Sequence, residues 1–145
     1  MVTKRINSNK ICVIDIFAGA GGLGEGFASY PSRRDSIFDV KLSIDKEPAA
    51  LDTLRLRSFF NLFLSEEVPK DYYDFIRAGD SADIKVFSTR FKSDWLKASG
   101  KVLEAELGKN QTDLGRIDAA LETAIGRKRR DWVLIGGPPC QAYSS

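Results

Sequence analysis

The first third of the chain repeats a strand-like apolar run followed by a helix-like segment. Residues 11–17 form an almost continuous apolar run rich in β-branched side chains, which predicts a strand covered on both faces. A glycine-rich turn follows and leads into a helix that is expected to end before Pro31. A second strand is predicted over residues 37–44, and Pro48 suits the first turn of a helix that continues to about Phe63. This succession is typical of a parallel α/β sheet.

The second half of the chain reads differently. Helical spacing is predicted over residues 71–78, 93–107 and 113–125, and a last strand over 132–135. Too many residues separate the last two predicted strands for a plain crossover, so we interpret part of 66–126 as a helical insertion. The predicted fold is a doubly wound, Rossmann-like α/β sheet that carries this insertion.

Composition narrows the function classes. The 145 residues suit one domain, and 43% hydrophobic with 29% charged residues argues against disorder and against a membrane protein. Histidine is absent, which excludes a Ser–His or Cys–His couple, an imidazole metal site and a histidine general base within these residues. A formal charge of +2 is too small to indicate nucleic-acid binding by bulk electrostatics, so any such binding must be local.

The two cysteines, Cys12 and Cys140, have neither the spacing of a disulfide scaffold nor that of a zinc site. They favour a reducing, intracellular location, and no metal ligand set is visible. Residues 1–10 form a polar lead-in without the apolar core of a secretory signal. Cys12 lies inside the first strand and is expected to be a small buried apolar residue.

The first turn carries candidate ligand chemistry. Residues 19–24 satisfy the G-x-G-x-x-G pattern between a strand and a helix, where the backbone can approach a nucleotide-like ligand closely. Asp45 follows Gly21 by 24 residues at the end of the second strand, where a carboxylate can accept the hydroxyls of a ribose. A tight turn without a ligand and an ordinary surface aspartate remain the alternatives.

Cys140 is the sharper signal. It follows the last predicted strand, on the side where open α/β sheets have their ligand crevice. Gly136 and Gly137 permit close backbone approach, while Pro138 and Pro139 stiffen the bend before the thiol. Stiff placement suits a nucleophile, and a purely structural loop is the alternative.

Three segments together resemble the DNA cytosine-5 methyltransferases: residues 15–23, 45–50 and 136–144. The resemblance implies S-adenosylmethionine as cofactor and double-stranded DNA as the partner of the full-length protein. No membrane association is expected, because no apolar run approaches the roughly 20 residues that span a bilayer. It also implies that 11–145 is part of a cofactor-binding catalytic domain. A prokaryotic protein of this kind would be cytoplasmic and associated with the nucleoid. The oligomeric state and the choice between restriction–modification and regulation stay open.

The resemblance assigns roles to individual residues. Phe17 would pack on the adenine, Asp45 would hold the ribose, and Asp80 would lie near the adenine amine, although the family normally has glutamate where Asp45 falls. Residues lining the methionine portion would be Ala18, Gly19, Ala20, Gly21 and Gly22. The last segment would contribute Gly137 to the cofactor, Pro139, Gln141 and Ser144 to the substrate, and Cys140 as the catalytic residue.

The implied reaction begins when the Cys140 thiolate adds to carbon 6 of a flipped cytosine, which makes carbon 5 nucleophilic enough to take a methyl group. The adduct then collapses and releases the thiolate. Relatives carry further catalytic and recognition groups after the cysteine segment, so we expect this chain to be the N-terminal part of a longer enzyme and inactive alone. The alternatives are a degenerate cofactor- or nucleic-acid-binding module without turnover and a dinucleotide oxidoreductase domain.

Two further features have ordinary explanations. The basic run 127–130 could contact phosphate or could cap a helix C-terminus. The aromatic residues between 72 and 95 are interpreted as packing rather than as a base-stacking platform.

Overall fold

A parallel four-stranded sheet forms the centre of the molecule, in a computed structural model that describes residues 10–108, 111–126 and 131–138. The strands are β1 (Ile11–Ile16), β2 (Phe38–Asp45), β3 (Val102–Glu104) and β4 (Trp132–Gly136). The helices are α1 (Gly22–Ala28), α2 (Pro48–Phe60), α3 (Lys70–Ala78), α4 (Ile84–Arg90), α5 (Lys92–Ser99) and α6 (Gln111–Ile125). Short 3₁₀ turns lie at Ser65–Glu67 and Gly79–Ser81.

The spatial order of the strands is β3-β2-β1-β4. The chain therefore moves outward from β1 to β2 and β3, and then returns to place β4 on the other side of β1. This reversal is the topological switch point at which open α/β sheets bind ligands, beyond the carboxyl ends of the strands. The predicted α/β class is confirmed, and the strand order fits an incomplete Rossmann-like fold.

Helices cover both faces of the sheet because the side chains of each strand alternate between them. On one face, Cys12, Ile14, Leu42 and Ile44 pack with Ile117 of α6 in a buried cluster. Val13 and Asp15 point to the opposite face, where α1 and α2 lie. The prediction that Cys12 is a buried apolar residue is confirmed by its 5% exposure.

A second core lies between α2 and the helices α3 to α5. Phe59 of α2 is fully buried at its centre, and Phe87 and Ala98 are buried beside it. The rings of Phe59 and Phe87 meet edge to face, with centroids 5.1 Å apart. The partly buried members of this cluster are Leu56, Leu62, Phe63, Tyr72, Phe75, Phe91 and Trp95. The aromatic residues of this region therefore pack, as the sequence indicated.

The predicted helix over 93–107 is wrong in its second half. Helix α5 ends at Ser99, and residues 102–104 form β3 instead. The backbone amide of Ser43 donates to the carbonyl of Lys101 (2.8 Å), and the amide of Ala105 donates to the carbonyl of Asp45 (3.1 Å). Pairing with β2 thus outweighs the local helical preference.

The segment 66–126 contains a strand of the central sheet as well as helices α3 to α6. The part before β3 contains helices and turns but no strand. Helix α6 then connects β3 to β4. The division into a lead-in at 1–10 and a catalytic domain at 11–145 stays a prediction. Within the described ranges, no helix is long and apolar enough to cross a membrane.

Candidate functional site

The turn after β1 has a specialised backbone. Phe17 adopts a left-handed conformation (φ 53°), which is uncommon for a residue with a large side chain, and Gly19 and Gly21 also have positive φ. The amide of Ala18 donates to the carbonyl of Ile44 at the end of β2 (3.1 Å), and the amide of Gly21 donates back to Ala18 (2.9 Å). These bonds close the turn so that α1 begins at Gly22. We call residues 17–22 the glycine loop.

Asp45 ties the glycine loop to the end of β2. Its Oδ2 accepts a hydrogen bond from the Gly19 amide at 2.7 Å, and its Oδ1 accepts one from the Glu47 amide at 2.9 Å. A carboxylate has about four lone-pair positions, so each oxygen retains capacity to accept a ligand hydroxyl. The sequence predicted a carboxylate at the strand end, and the structure adds that it holds the loop.

The glycines of the loop and of α1 divide into two groups by what surrounds them. A Cβ on Gly21 would lie 2.7 Å from Leu54 Cδ2 of α2, and a Cβ on Gly24 would lie 2.8 Å from Asp15 Oδ2. A Cβ on Gly19 or Gly22 would meet nothing within 4 Å. Gly21 and Gly24 therefore allow close packing against α2 and β1. Gly19 and Gly22 face open space where a ligand could lie.

The end of β4 lies beside the end of β1. Gly136 pairs in register with Ile16, and a Cβ on Gly136 would come within 2.4 Å of the Ile16 carbonyl oxygen. Only glycine allows this approach. Gly137 follows directly after the end of β4, and a Cβ there would meet nothing within 4 Å.

Asp15 is a residue of this region that the sequence reasoning did not place in the site. It belongs to β1, is 1% exposed, and neither carboxylate oxygen has a hydrogen-bond partner among the described residues. Burial raises the pKa of Asp15 to about 6, and the negative charge of Asp45 adds to the rise, while the nearby Gly24 amide lowers it without completing a hydrogen bond. An aspartate inside an otherwise apolar strand was the signal that could have found it.

The acidic residue at the end of β3 is Glu104, which is in register with Asp45. Asp80, the residue predicted near the adenine amine, is exposed in the 3₁₀ turn between α3 and α4 and does not stand at a strand end. The carboxyl edge of the sheet therefore brings Asp45 and Glu104 to neighbouring strand ends and leaves Asp80 on a different element.

An ion pair links the loops that follow β2 and β3. Lys46 Nζ lies 3.3 Å from Glu106 Oε1, and the Glu106 backbone amide donates to Asp113 Oδ2 of α6 at 3.3 Å.

A second set of contacts surrounds α1. Glu25 of α1 pairs with Arg33 and accepts a hydrogen bond from the side-chain amide of Asn61 at 3.1 Å. These contacts fix the elements around the glycine loop.

Several predicted site residues lie outside the described residues: Pro139, Cys140, Gln141 and Ser144, together with the basic run 127–130. Among the described residues, Phe17, the glycine loop, Asp45 and Gly137 lie at the carboxyl ends of β1, β2 and β4. No group of three or more metal-binding side chains occurs in that part of the chain.

The features at the switch point fit a nucleoside-type cofactor. They are an accepting carboxylate with spare lone pairs, open space above Gly19 and Gly22, and a partly exposed aromatic ring at Phe17. The fold and this cleft define the class: an incomplete Rossmann-like sheet with a candidate cofactor cleft beyond β1 and β2.

Comparison with known proteins narrows the class. The chain is similar to the type II methyltransferase M.Bpa9945I of Bacillus paralicheniformis, with 29% identity over 145 residues. The similarity covers 91% of this chain and 31% of the relative, so the chain spans about a third of that protein's length. No family model matches the chain, and no solved structure matches it. The resemblance to a methyltransferase that the motifs predicted is confirmed.

Proposed function

We propose that the chain is the cofactor-binding and nucleophile-bearing part of a DNA cytosine-5 methyltransferase that uses S-adenosylmethionine. The observation that carries the proposal is the hydrogen bond from the Gly19 amide to Asp45 at the switch point of a parallel sheet. It joins the two segments that the resemblance assigns to the cofactor. The similarity to a type II methyltransferase supports the same reading.

The chain's residues take distinct parts in cofactor binding. Asp45 accepts the ribose hydroxyls through its remaining lone pairs, and Phe17 offers its ring to the adenine. For the acidic contact to the adenine amine we favour Glu104 over Asp80, because Glu104 stands beside Asp45 at a strand end. The bound cofactor supplies an electrophilic methyl group on a sulfonium.

Cys140 provides the nucleophile in this proposal. Its thiolate adds to carbon 6 of an extruded cytosine, and the carbon 5–carbon 6 double bond is lost as carbon 5 becomes nucleophilic. After methylation, the proton on carbon 5 leaves and the sulfur–carbon bond breaks, which restores the double bond and the thiolate. Gly136 lies in register with Ile16, so β4 ends beside the strand that leads into the glycine loop. Methyl transfer to double-stranded DNA requires further groups than these 145 residues carry.

The test is covalent trapping. DNA in which cytosine is replaced by 5-fluorocytosine cannot lose its substituent at carbon 5, so the adduct should persist when the full-length protein that contains this chain is incubated with it and S-adenosylmethionine. We expect a protein–DNA species on a denaturing gel that Cys140→Ser abolishes. Cys12→Ser is the matched control, because Cys12 is buried in the sheet core. A full-length wild-type protein that binds the cofactor but forms no adduct on DNA of varied sequence would contradict cytosine-5 chemistry and favour the binding-module alternative.

A further inference from the structure

Asp15 is the feature that the proposed chemistry leaves unexplained. A fully buried carboxylate without a hydrogen-bond partner costs folding free energy, and an apolar side chain at position 15 would avoid that cost. Its neighbours in register are Ser43 on β2 and Ile135 on β4, and neither carries a charge. Groups of this kind concentrate at functional sites.

The position of Asp15 puts its charge next to the candidate cleft. It lies one residue before the end of β1, two residues before Phe17 of the glycine loop, and under Gly24 of α1. The charge of Asp45 acts on Asp15, and because electrostatic coupling is reciprocal, the charge of Asp15 acts equally at Asp45. Asp45 lies in the cleft, so the field of the buried carboxylate reaches it.

We propose that Asp15 is a specificity-determining residue of this cleft, whose buried negative charge favours a cationic cofactor over its uncharged product. The inference rests on the proposed function. Methyl transfer converts the sulfonium of S-adenosylmethionine into the neutral thioether of S-adenosylhomocysteine, so the ligand loses one positive charge as the reaction is completed. A fixed anion in the low-dielectric interior stabilises the first ligand more than the second.

The same charge disfavours a dinucleotide. A pyrophosphate placed on the glycine loop would be repelled by the buried charge of Asp15. Asp45 does not discriminate, because dinucleotide sites carry an acidic residue at the same strand end.

The test compares the affinities of two ligands rather than activity. Calorimetric titration of the full-length protein that contains this chain with S-adenosylmethionine and with S-adenosylhomocysteine gives two Kd values, and their ratio measures the preference for the cation. We expect Asp15→Asn to lower this preference by about three- to tenfold, the order expected for one charge acting across a protein interior. The loss should fall on S-adenosylmethionine, with the Kd for S-adenosylhomocysteine little changed.

Asp39→Asn is the matched control. Asp39 is a partly buried aspartate near the opposite end of β2, where it pairs with Lys41 and Lys101. Its removal should leave the preference unchanged. If Asp15→Asn weakens both ligands by the same factor, or changes neither, Asp15 has no role in selecting charge, and the inference is overturned while the proposed function stands. If the wild-type protein binds neither ligand, the proposed function itself fails.

A second measurement does not depend on a folded variant. The preference of the wild-type protein should fall between pH 7 and pH 5, because Asp15, with a pKa of about 6, gains a proton over this range. The groups around it are Asp45 from β2, the uncharged Ile135 of β4, and the Gly24 backbone of α1. On the adjoining elements, Glu25 of α1 and Arg57 of α2 stand 4.0 Å apart. A preference that stays constant across this range would overturn the inference.

Discussion

The carboxylate of Asp15 lies directly under Gly24, so close that a Cβ at that position would come within 2.8 Å of Oδ2. Helix propensity alone says that alanine should stabilise α1 here by up to about 1 kcal/mol. The contact with a fully buried side chain should outweigh that gain. We therefore expect Gly24→Ala to lower the free energy of unfolding by about 1–3 kcal/mol in urea denaturation.

Gly26 provides the matched control for this substitution. It lies in the same helix, and a Cβ there would meet nothing within 4 Å. Gly26→Ala should raise the free energy of unfolding by about 0.5–1 kcal/mol. Equal effects at the two positions would show that the Asp15–Gly24 contact has no energetic weight.

Substitutions at Phe17 should affect protein stability and cofactor binding differently. Its left-handed backbone strains any residue with a Cβ, so Phe17→Gly should be more stable than Phe17→Ala by about 1 kcal/mol in chemical denaturation. Both substitutions remove the ring proposed to contact adenine, and both should weaken S-adenosylmethionine binding to a similar extent. If Phe17→Gly binds S-adenosylmethionine as tightly as wild type while Phe17→Ala does not, the backbone conformation and not the ring contributes to binding.

Most of what the sequence predicted concerns the two βα units around the glycine loop. Strand β1, strand β2 and the start of α2 at Pro48 agree with prediction because each has a strong local signal: a continuous apolar run, or a proline fitted to the first helical turn. Asp45 was placed at its strand end by counting from the glycines. These signals are local, so they can be read without knowing the fold.

Long-range contacts decide what the sequence could not supply. Strand β3 has three residues and follows a helix after only a short break, so its identity depends on pairing with β2, from which it is more than 50 residues distant. The placement of Glu104 beside Asp45 follows from that pairing. The contact of Asp15 with Gly24 likewise depends on how α1 folds back over β1.

A substitution at Gly136 tests whether the ends of β1 and β4 must lie close together. A Cβ there would meet the backbone carbonyl oxygen of Ile16 at 2.4 Å, and backbone cannot move aside as a side chain can. Gly136→Ala should destabilise the protein by about 1–3 kcal/mol and separate the ends of β1 and β4, so that cofactor affinity falls as well. Gly137→Ala is the control, since open space surrounds that position. A tolerated Gly136→Ala would show that the two strand ends need not approach each other.

The buried carboxyl also predicts how stability depends on pH. The pKa of Asp15 rises from 3.8 to about 6 on folding, so between these values the folded protein holds a proton that the unfolded chain has released. The contribution of this group is therefore most favourable below about pH 4 and is lost as the pH rises through about 6, by at most about 3 kcal/mol. Asp15→Asn removes this dependence.

The free energy of unfolding of Asp15→Asn, relative to that of wild type, should thus increase from pH 4 to pH 7 when both proteins are denatured with urea at each pH. A difference that is constant over this range would show that Asp15 titrates alike in the folded and unfolded states.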